Sequence, residues 1–199
     1  MLRSFWLFLF AFPFFCYADN IYNHPLKDLN QVDFQTVEQP LSQPNVVSGT
    51  FKQVRSVQGL SQPLISSGTF RLSKQCGLLW QQTEPFLSTL ILTQSKIEQK
   101  MLDNPPIIIT QKEQPIIFSF TRIFLSVFQG DIAQIQQHFN VYFIGTPKDW
   151  RIALIPKEAP LNKAIQRIEM QGAKTISSIL IVDTQENITT IAFSNIQLG

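Results

Sequence analysis

The sequence predicts an antiparallel α+β fold or a partly closed barrel, with about ten or eleven strands that helices interrupt once. Apolar and polar residues alternate along most of the chain, which places successive side chains on opposite faces of a sheet. Turn-forming Gly, Pro, Asn and Asp residues separate the alternating runs. A long apolar stretch at residues 116–130 breaks the two-residue period. For a chain of 199 residues, one domain with a single core is expected.

The first four strands are predicted within residues 46–93, where the tetrapeptide Ser-Gly-Thr-Phe occurs twice. The two copies occupy residues 48–51 and 67–70, and a basic residue follows each of them. Turn residues between the copies predict a hairpin, and the fourth strand is expected to start at Phe86. The apolar face of the second run is predicted to carry Leu64, Gly68, Phe70 and Leu72.

The remaining strands follow the same pattern. Alternation continues at residues 96–102, and Pro105-Pro106 introduces an apolar run at 107–109 that is either doubly buried or an edge strand. After Asn140 the alternation returns in five further runs. They lie at residues 141–145, 150–155, 164–170, 176–182 and 188–196.

A short helix is predicted at residues 32–39, with Pro40 as its boundary. Val32, Thr36 and Val37 would fall near one face of this helix. Because two helical turns are unstable alone, the element is expected to depend on packing against the rest of the fold.

Residues 116–130 predict a strongly apolar helix, which follows Pro115 and ends at Gly130. A second helix is predicted at residues 132–139, with Asp131 as its cap. Apolar side chains surround much of the first helix, so it must be covered on more than one side. This surplus favours a helical lid over an apolar cavity. The main apolar stripe consists of Ile117, Phe120, Phe124, Val127 and Phe128.

Residues 1–18 are predicted to be a cleaved secretory signal peptide, which leaves residues 19–199 as the mature domain. Arg3 precedes an apolar run at residues 5–15, and small residues, including Ala18, occupy the two positions that a signal peptidase inspects. The apolar run is shorter than the ~20 residues that span a bilayer, which argues against an uncleaved anchor.

The mature chain is nearly neutral. Removal of Arg3 lowers the basic count from 16 to 15, against 14 acidic residues. This balance gives no basis for binding nucleic acid or for preferring acidic substrates. Only Cys76 remains in the mature chain, so no internal disulfide is possible, and a buried, inert thiol is expected.

No reaction centre can be identified in the sequence. His24 and His138 are far apart in the chain and have no Cys or carboxylate cluster at ligand spacing, which favours ordinary structural or surface roles. Nucleophile-elbow, phosphate-loop and zinc-protease motifs do not occur. The sequence therefore predicts no catalytic residue, no metal and no cofactor.

Several short motifs resemble those of the LolA-type periplasmic carriers of outer-membrane lipoproteins. They are Phe51-Lys52-Gln53, Gly68-Thr69-Phe70-Arg71-Leu72 followed by Lys74, and Leu79-Trp80 ahead of Pro85. The order of strands and helices is similar over residues 34–197. The fuller string that begins at Gly59-Leu60 and ends at Pro85-Phe86 looks more like a divergent branch associated with polyene or fatty-acyl biosynthesis.

The resemblance implies an unclosed antiparallel barrel with helices as a lid over an apolar cavity that holds acyl chains. It also implies a monomer in the periplasm, which takes lipoproteins from an inner-membrane transporter and passes them to an outer-membrane acceptor. The family usually has Arg-Pro where this chain has Lys74-Gln75. In the family, that Arg helps to hold the lid through hydrogen bonds to backbone carbonyls. The resemblance therefore makes Lys74 the candidate lid contact. The candidate lipid-binding residues are Phe51, Phe70, Leu72, Trp80, Leu90, Leu92, Ile117, Phe120, Phe124 and Phe128.

Other interpretations of the apolar residues and of the function remain open. The same apolar residues could fill a closed core without a cavity. A carrier of lipoproteins or of a related acylated lipid is the main hypothesis, and a non-transporting envelope module that senses or scaffolds lipidated partners is the alternative. A periplasmic enzyme acting on acyl groups is a third, but no pair of nucleophile and base can be named for it.

Overall fold

The computed structural model describes residues 20–28, 32–114, 118, 121, 125–126 and 132–199. Its two complete α-helices are α1 (Val32–Ser42) and α2 (Ile132–His138). Its strands are β1 (Val46–Ser56), β2 (Leu64–Ser73), β3 (Gly77–Glu84), β4 (Ser88–Leu92), β5 (Lys96–Met101), β6 (Ile107–Thr110), β7 (Phe139–Thr146), β8 (Asp149–Pro156), β9 (Ile165–Gly172), β10 (Ile176–Asp183) and β11 (Ile188–Leu198).

All eleven strands belong to one antiparallel sheet in the order β6-β5-β4-β3-β2-β1-β11-β10-β9-β8-β7. The chain starts in the middle of the sheet at β1 and moves outward to β6. It then crosses to the opposite edge and returns from β7 to β11, which pairs with β1. Among the described strands β6 and β7 are the two edges, so the sheet is unclosed, and the predicted α+β fold is confirmed.

The two Ser-Gly-Thr-Phe copies pair with each other in the centre of the sheet. In the antiparallel register of β1 and β2, Gly49 lies opposite Phe70 and Phe51 lies opposite Gly68. A Cβ on Gly49 would come within 3.1 Å of the Phe70 ring, and a Cβ on Gly68 would lie 1.9 Å from the carbonyl oxygen of Gln81. Because neither glycine has a side chain, a neighbouring ring or strand can occupy the space beside it.

The inner face of the sheet is the face that carries Phe51, Phe70 and Phe193, all of which are buried. The register places these three side chains on adjacent strands β2, β1 and β11. A single cluster of buried residues extends from this centre to Ile97 on β5 and to Trp150 on β8. The apolar halves of the alternating runs therefore meet in one core, as binary patterning requires.

Helix α1 packs through a face on which the sequence predicted Val37 but not Phe34. Phe34 and Val37 are buried, and the Phe34 ring makes an edge contact with Phe143 of β7 at 5.2 Å between centroids. Thr36, which was expected near the same face as Val37, is exposed. The helix also continues through Pro40, because Pro removes one hydrogen bond without stopping the next turn, and the N–H of Gln43 still donates to the carbonyl of Gln39.

The crossing segment between β6 and β7 is helical where it is described. Phe118, Thr121, Leu125 and Ser126 are helical and buried, at spacings typical of one side of a helix. Phe118 and Leu125 belong to the same core cluster as the inner face of the sheet. Phe118 and Leu125 therefore pack in the same core as the inner face. Helix α2 adds Ile135, which is also buried there.

Residues 20–26 run along the edge strand β7. The N–H of Leu26 donates to the carbonyl of Val141, and the N–H of Phe143 donates to the carbonyl of His24. Tyr22 donates its hydroxyl to Glu169 of β9 at 2.8 Å. Burial, together with this hydrogen bond, raises the pKa of Tyr22 to about 12. The segment thus covers one edge of the sheet, where unpaired backbone would otherwise be exposed.

Three local predictions were wrong. Leu64 was expected on the packed face, but it lies at the end of β2 and is 55% exposed. The fourth strand begins at Ser88 rather than at Phe86, because Phe86 and Leu87 form the exposed turn before it. Cys76 is exposed in the β2–β3 turn instead of buried, since the turn itself lies outside the core. Of the two alternatives predicted for residues 107–109, the edge strand is the one observed, because these residues belong to β6.

The β10–β11 turn is closed by the carboxylate of Asp183. It accepts hydrogen bonds from the N–H groups of Gln185 and Asn187 and from the side-chain amide of Asn187, at 2.8 to 2.9 Å. These bonds, first of all that from the Asn187 side chain, hold the pKa of Asp183 below its ordinary value of 3.8. The Asn187 side-chain oxygen also accepts from the N–H of Gln58 and joins this turn to the β1–β2 connection.

Gly68→Ala is expected to lower the free energy of unfolding by about 1–3 kcal/mol, because the new methyl group would collide with the Gln81 backbone. Thr69→Ala, on the exposed face of the same strand, is the matched control and should cost clearly less. Urea denaturation of both variants measures the difference. Equal losses would contradict the close approach of β3 to Gly68.

Asn187→Ala is expected to raise the pKa of Asp183 toward 3.8, because the largest cause of its depression is removed. A carboxyl group with a lowered folded-state pKa stabilises the fold above its unfolded value and loses that contribution as the pH falls through the folded value. The variant should therefore lose less stability than the wild type on acidification below about pH 4. NMR titration of the Asp183 carboxyl carbon gives the pKa, and an unchanged value would contradict this assignment.

Candidate functional site

The centre of the inner face is a cluster of four aromatic rings. Phe51 and Trp80 are stacked at 3.7 Å between centroids, and Phe70 meets Phe193 edge-on at 5.1 Å. Trp80 also makes an edge contact with Phe193 at 6.5 Å. Four strands, β1, β2, β3 and β11, each supply one ring. The result is a continuous apolar surface across the middle of the sheet.

Two neighbouring rows of this face differ in burial. In the row nearer the end of α1, register places Leu72, Leu78, Leu92 and Ile97 side by side on β2 to β5, and all four are buried. In the next row, Phe70 is buried, whereas Trp80 and Leu90 remain partly accessible. Large apolar side chains that keep access on the inside of a fold are suited to contact an apolar ligand.

The structure brings together the predicted lipid-binding residues of the sheet. Phe51, Phe70, Leu72 and Leu92 are buried on the inner face, and Trp80 and Leu90 are its accessible members. The four candidates on the crossing segment, Ile117, Phe120, Phe124 and Phe128, lie outside the described residues. That these ten side chains bind lipid stays a prediction.

Sequence reasoning missed two aromatic members of the interior. Phe193 lies in the last strand and joins the cluster because β11 pairs with β1. Phe34 anchors α1 on β7. Phe193 lies within the alternating run at residues 188–196, but only the pairing of the first strand with the last identifies its neighbours.

Lys74 joins the end of β2 to the end of α1. Its Nζ donates to the carbonyl oxygen of Ser42 and, at 3.5 Å, to that of Gln43. Its backbone N–H donates to the carbonyl of Asn45 at 3.0 Å. The ammonium group thus donates hydrogen bonds to carbonyl groups at the C-terminal end of α1, where a positive charge interacts favourably with the helix dipole. Lys74 thus fastens the C-terminal end of α1 to the sheet, and its role as a lid contact stays a prediction.

The described residues contain no group of three or more His, Cys, Asp and Glu side chains arranged to hold a metal ion. Within the same part of the chain, no helix has the length and apolar content needed to cross a membrane. The chemistry that the site offers is apolar contact along the inner face and hydrogen bonding at the end of α1.

A family model described as "Outer membrane lipoprotein carrier protein LolA-like" matches residues 28–186. No curated protein matches the sequence. Among solved structures, a LolA superfamily protein from Nitrosomonas europaea aligns with a TM-score of 0.46 and 9% identity, over 85% of this chain and 93% of that chain.

Two further solved structures are similar. A DUF1329 family protein from Desulfovibrio piger aligns with a TM-score of 0.45 and 8% identity, over 81% of this chain and 88% of that chain. A domain described as an outer membrane lipoprotein-sorting protein, from Vibrio parahaemolyticus, aligns with a TM-score of 0.44 and 8% identity, over 90% of this chain and 93% of that chain.

Lys74→Ala is expected to loosen the end of α1, because the charged donor to two carbonyl groups is lost. A loss of about 1 kcal/mol corresponds to roughly fivefold faster amide hydrogen exchange in the last turn of α1. Lys74→Arg should retain most of the protection, since a guanidinium group can also donate to both carbonyls. Arg71→Ala is the control, because it removes an exposed cation from the adjoining strand β2. Equal exchange in the Lys74→Ala and Arg71→Ala variants would contradict the fastening role.

Proposed function

The chain belongs to the LolA-like family of outer membrane lipoprotein carrier proteins, and we propose that it is a periplasmic carrier of acyl chains. It shields the acyl chains of lipoproteins, or of a related acylated lipid, and moves them toward the outer membrane. The observation that carries this proposal is the accessible apolar surface formed by Trp80 and Leu90 on the inner face.

The energetics of such a surface suit a carrier. Each buried methylene group contributes ~0.8 kcal/mol, so a long acyl chain gains on the order of 10 kcal/mol before the costs of association are subtracted. This gain is large enough to keep a hydrocarbon chain out of water. It still allows release when an acceptor offers a better apolar site, and no covalent step is needed.

As a carrier, the protein would receive its cargo at one membrane and deliver it to the other. An inner-membrane transporter supplies the acylated molecule, and an acceptor at the outer membrane receives it. Residues 1–18 serve as the signal peptide that directs the chain to the periplasm, where it acts as a monomer without a cofactor. Lys74 and α1 form the part of the fold that regulates access to the interior.

The proposal predicts saturable binding of a fluorescent fatty-acyl probe to the delipidated protein. Leu90→Gln should weaken this binding about tenfold, because a polar group replaces a partly accessible apolar contact. Ile65→Gln is the matched control, since Ile65 lies on the opposite face of β2 and is 52% exposed.

Two results would contradict the proposal. One is the absence of saturable binding; the other is an equal effect of the Leu90 and Ile65 substitutions. A subsequent transfer assay with vesicles separates carrying from sensing: probe that binds and is never released to an acceptor favours the non-transporting envelope module.

A further inference from the structure

One end of the sheet carries a row of exposed apolar turns. The β1–β2, β3–β4 and β5–β6 turns all lie at this end, because consecutive strands are antiparallel. Each turn holds a leucine in water: Leu60 is 55% exposed, Leu87 62% and Leu102 54%. Two strand spacings separate one turn from the next, so the turns follow one another at intervals of about 10 Å. These three leucines, with the exposed Phe86 beside Leu87, are called the apolar rim.

The opposite end of the same strands is polar. The β2–β3 turn, the β4–β5 turn and residues 111–114 after β6 contain no Leu, Ile, Phe or Met. Within the described part of the chain, Leu198 is the one exposed large apolar side chain at that end. The others lie in the rim turns or in the two terminal residues of strands that end there. Strand alternation does not produce this asymmetry, because the turns at both ends lie outside the core.

The backbone of Leu102 favours a role for this side chain in water. Its φ is 52°, in the left-handed region that a β-carbon disfavours and that Gly or Asn adopts more readily. The exposed side chain gains little packing inside the fold that would offset this cost. The Leu102 N–H donates to the carbonyl of Leu87 at 2.9 Å and so joins the β3–β4 and β5–β6 turns. Two leucines of the rim are therefore held in neighbouring turns.

The inner face of the sheet becomes more accessible toward the rim. On β4, the buried Leu92 lies farther from the rim than the partly accessible Leu90. On β5, Met101 shares the face of the buried Ile97 and is exposed where the strand reaches the rim. The rim therefore borders the accessible end of the inner face.

The charge and shape of the rim fit a lipid surface. The three turns contain one charged residue, Asp103, so attraction to an oppositely charged partner contributes little. Polar and proline residues divide the rim into separate apolar points, whereas a stable protein interface needs a continuous complementary surface of about 1,000 Å² or more. A bilayer surface takes up separate apolar side chains to a depth of ~5–10 Å without a matching shape.

We propose that the apolar rim inserts into the surface of a lipid bilayer and turns the accessible end of the inner face toward the lipid. This contact goes beyond the proposed function, because it needs no cargo; only its use in loading or releasing acyl chains rests on that function. Since leucines rather than cations make the contact, binding to the bilayer persists at high salt.

Co-sedimentation of the mature protein with phosphatidylcholine vesicles measures this contact. The protein should bind, and added salt should change the binding less than about twofold. Leu87→Gln and Leu102→Gln should each weaken it about fivefold, because a polar amide replaces an inserted leucine. Leu198→Gln is the matched control: Leu198 is 53% exposed at the opposite end of the sheet, and its substitution should leave the binding unchanged.

A polarity-sensitive fluorophore gives the orientation on the vesicle. Attached at Leu60→Cys in a Cys76→Ser background, the dye should show a blue-shifted emission when vesicles are added. Attached to the native Cys76, which is exposed in the β2–β3 turn at the opposite end, it should show no shift. Equal shifts at the two positions would overturn the proposed orientation.

Three results would overturn insertion of the rim: no binding to vesicles, an equal effect of the Leu198 and rim substitutions, or binding only when phosphatidylglycerol is added. Self-association that the rim substitutions abolish in the absence of vesicles would also overturn it, because the rim would then be an interface between copies. The fluorescent acyl probe separates the two proposals. Lost vesicle binding with unchanged probe binding overturns the rim alone, and lost probe binding with intact vesicle binding overturns the proposed function alone.

Discussion

The pairing of β1 with its two neighbours determines which side chains line the inside of this protein. β1 is the sixth of eleven strands, and it brings together β2 and β11, which lie far apart in the chain. A shift of its register by one residue would turn Phe51 and its partners to the outside. The two glycines of the tetrapeptides oppose such a shift, because the Phe70 ring lies close to Gly49 and the backbone of β3 occupies the space that Gly68 leaves free.

The inner face has two parts that differ in burial. α1 is anchored at Phe34 and fastened by Lys74, and the row of the sheet near its end is fully buried. Trp80 and Leu90 lie one row further along and keep part of their surface accessible. A fold that needed only a solid core would gain by burying these two side chains as well. Their accessibility is the physical basis for proposing a hydrocarbon ligand.

Much of the fold could be predicted because alternation reports directly on the faces of a sheet. The strands, the antiparallel α+β class and the resemblance to LolA-type carriers were all confirmed. The errors occurred where position along the sheet mattered: Leu64 continues an apolar pattern but lies at an exposed strand end, and Phe86 lies in the exposed turn before β4. The packing of Phe34 was not predicted, because it depends on β7, which is distant in sequence. The shared face of Phe70 and Leu72 followed from alternation, whereas the place of Phe193 required knowledge of which strands pair.

We propose that the accessible part of the inner face contacts hydrocarbon. Intermolecular NOEs between a bound fatty-acyl probe and the protein test it most directly, because they locate the chain. We expect NOEs from the acyl methylene groups to the Trp80 indole and the Leu90 methyl groups. Saturated binding with NOEs only to outward-facing side chains such as Ile65 would contradict it.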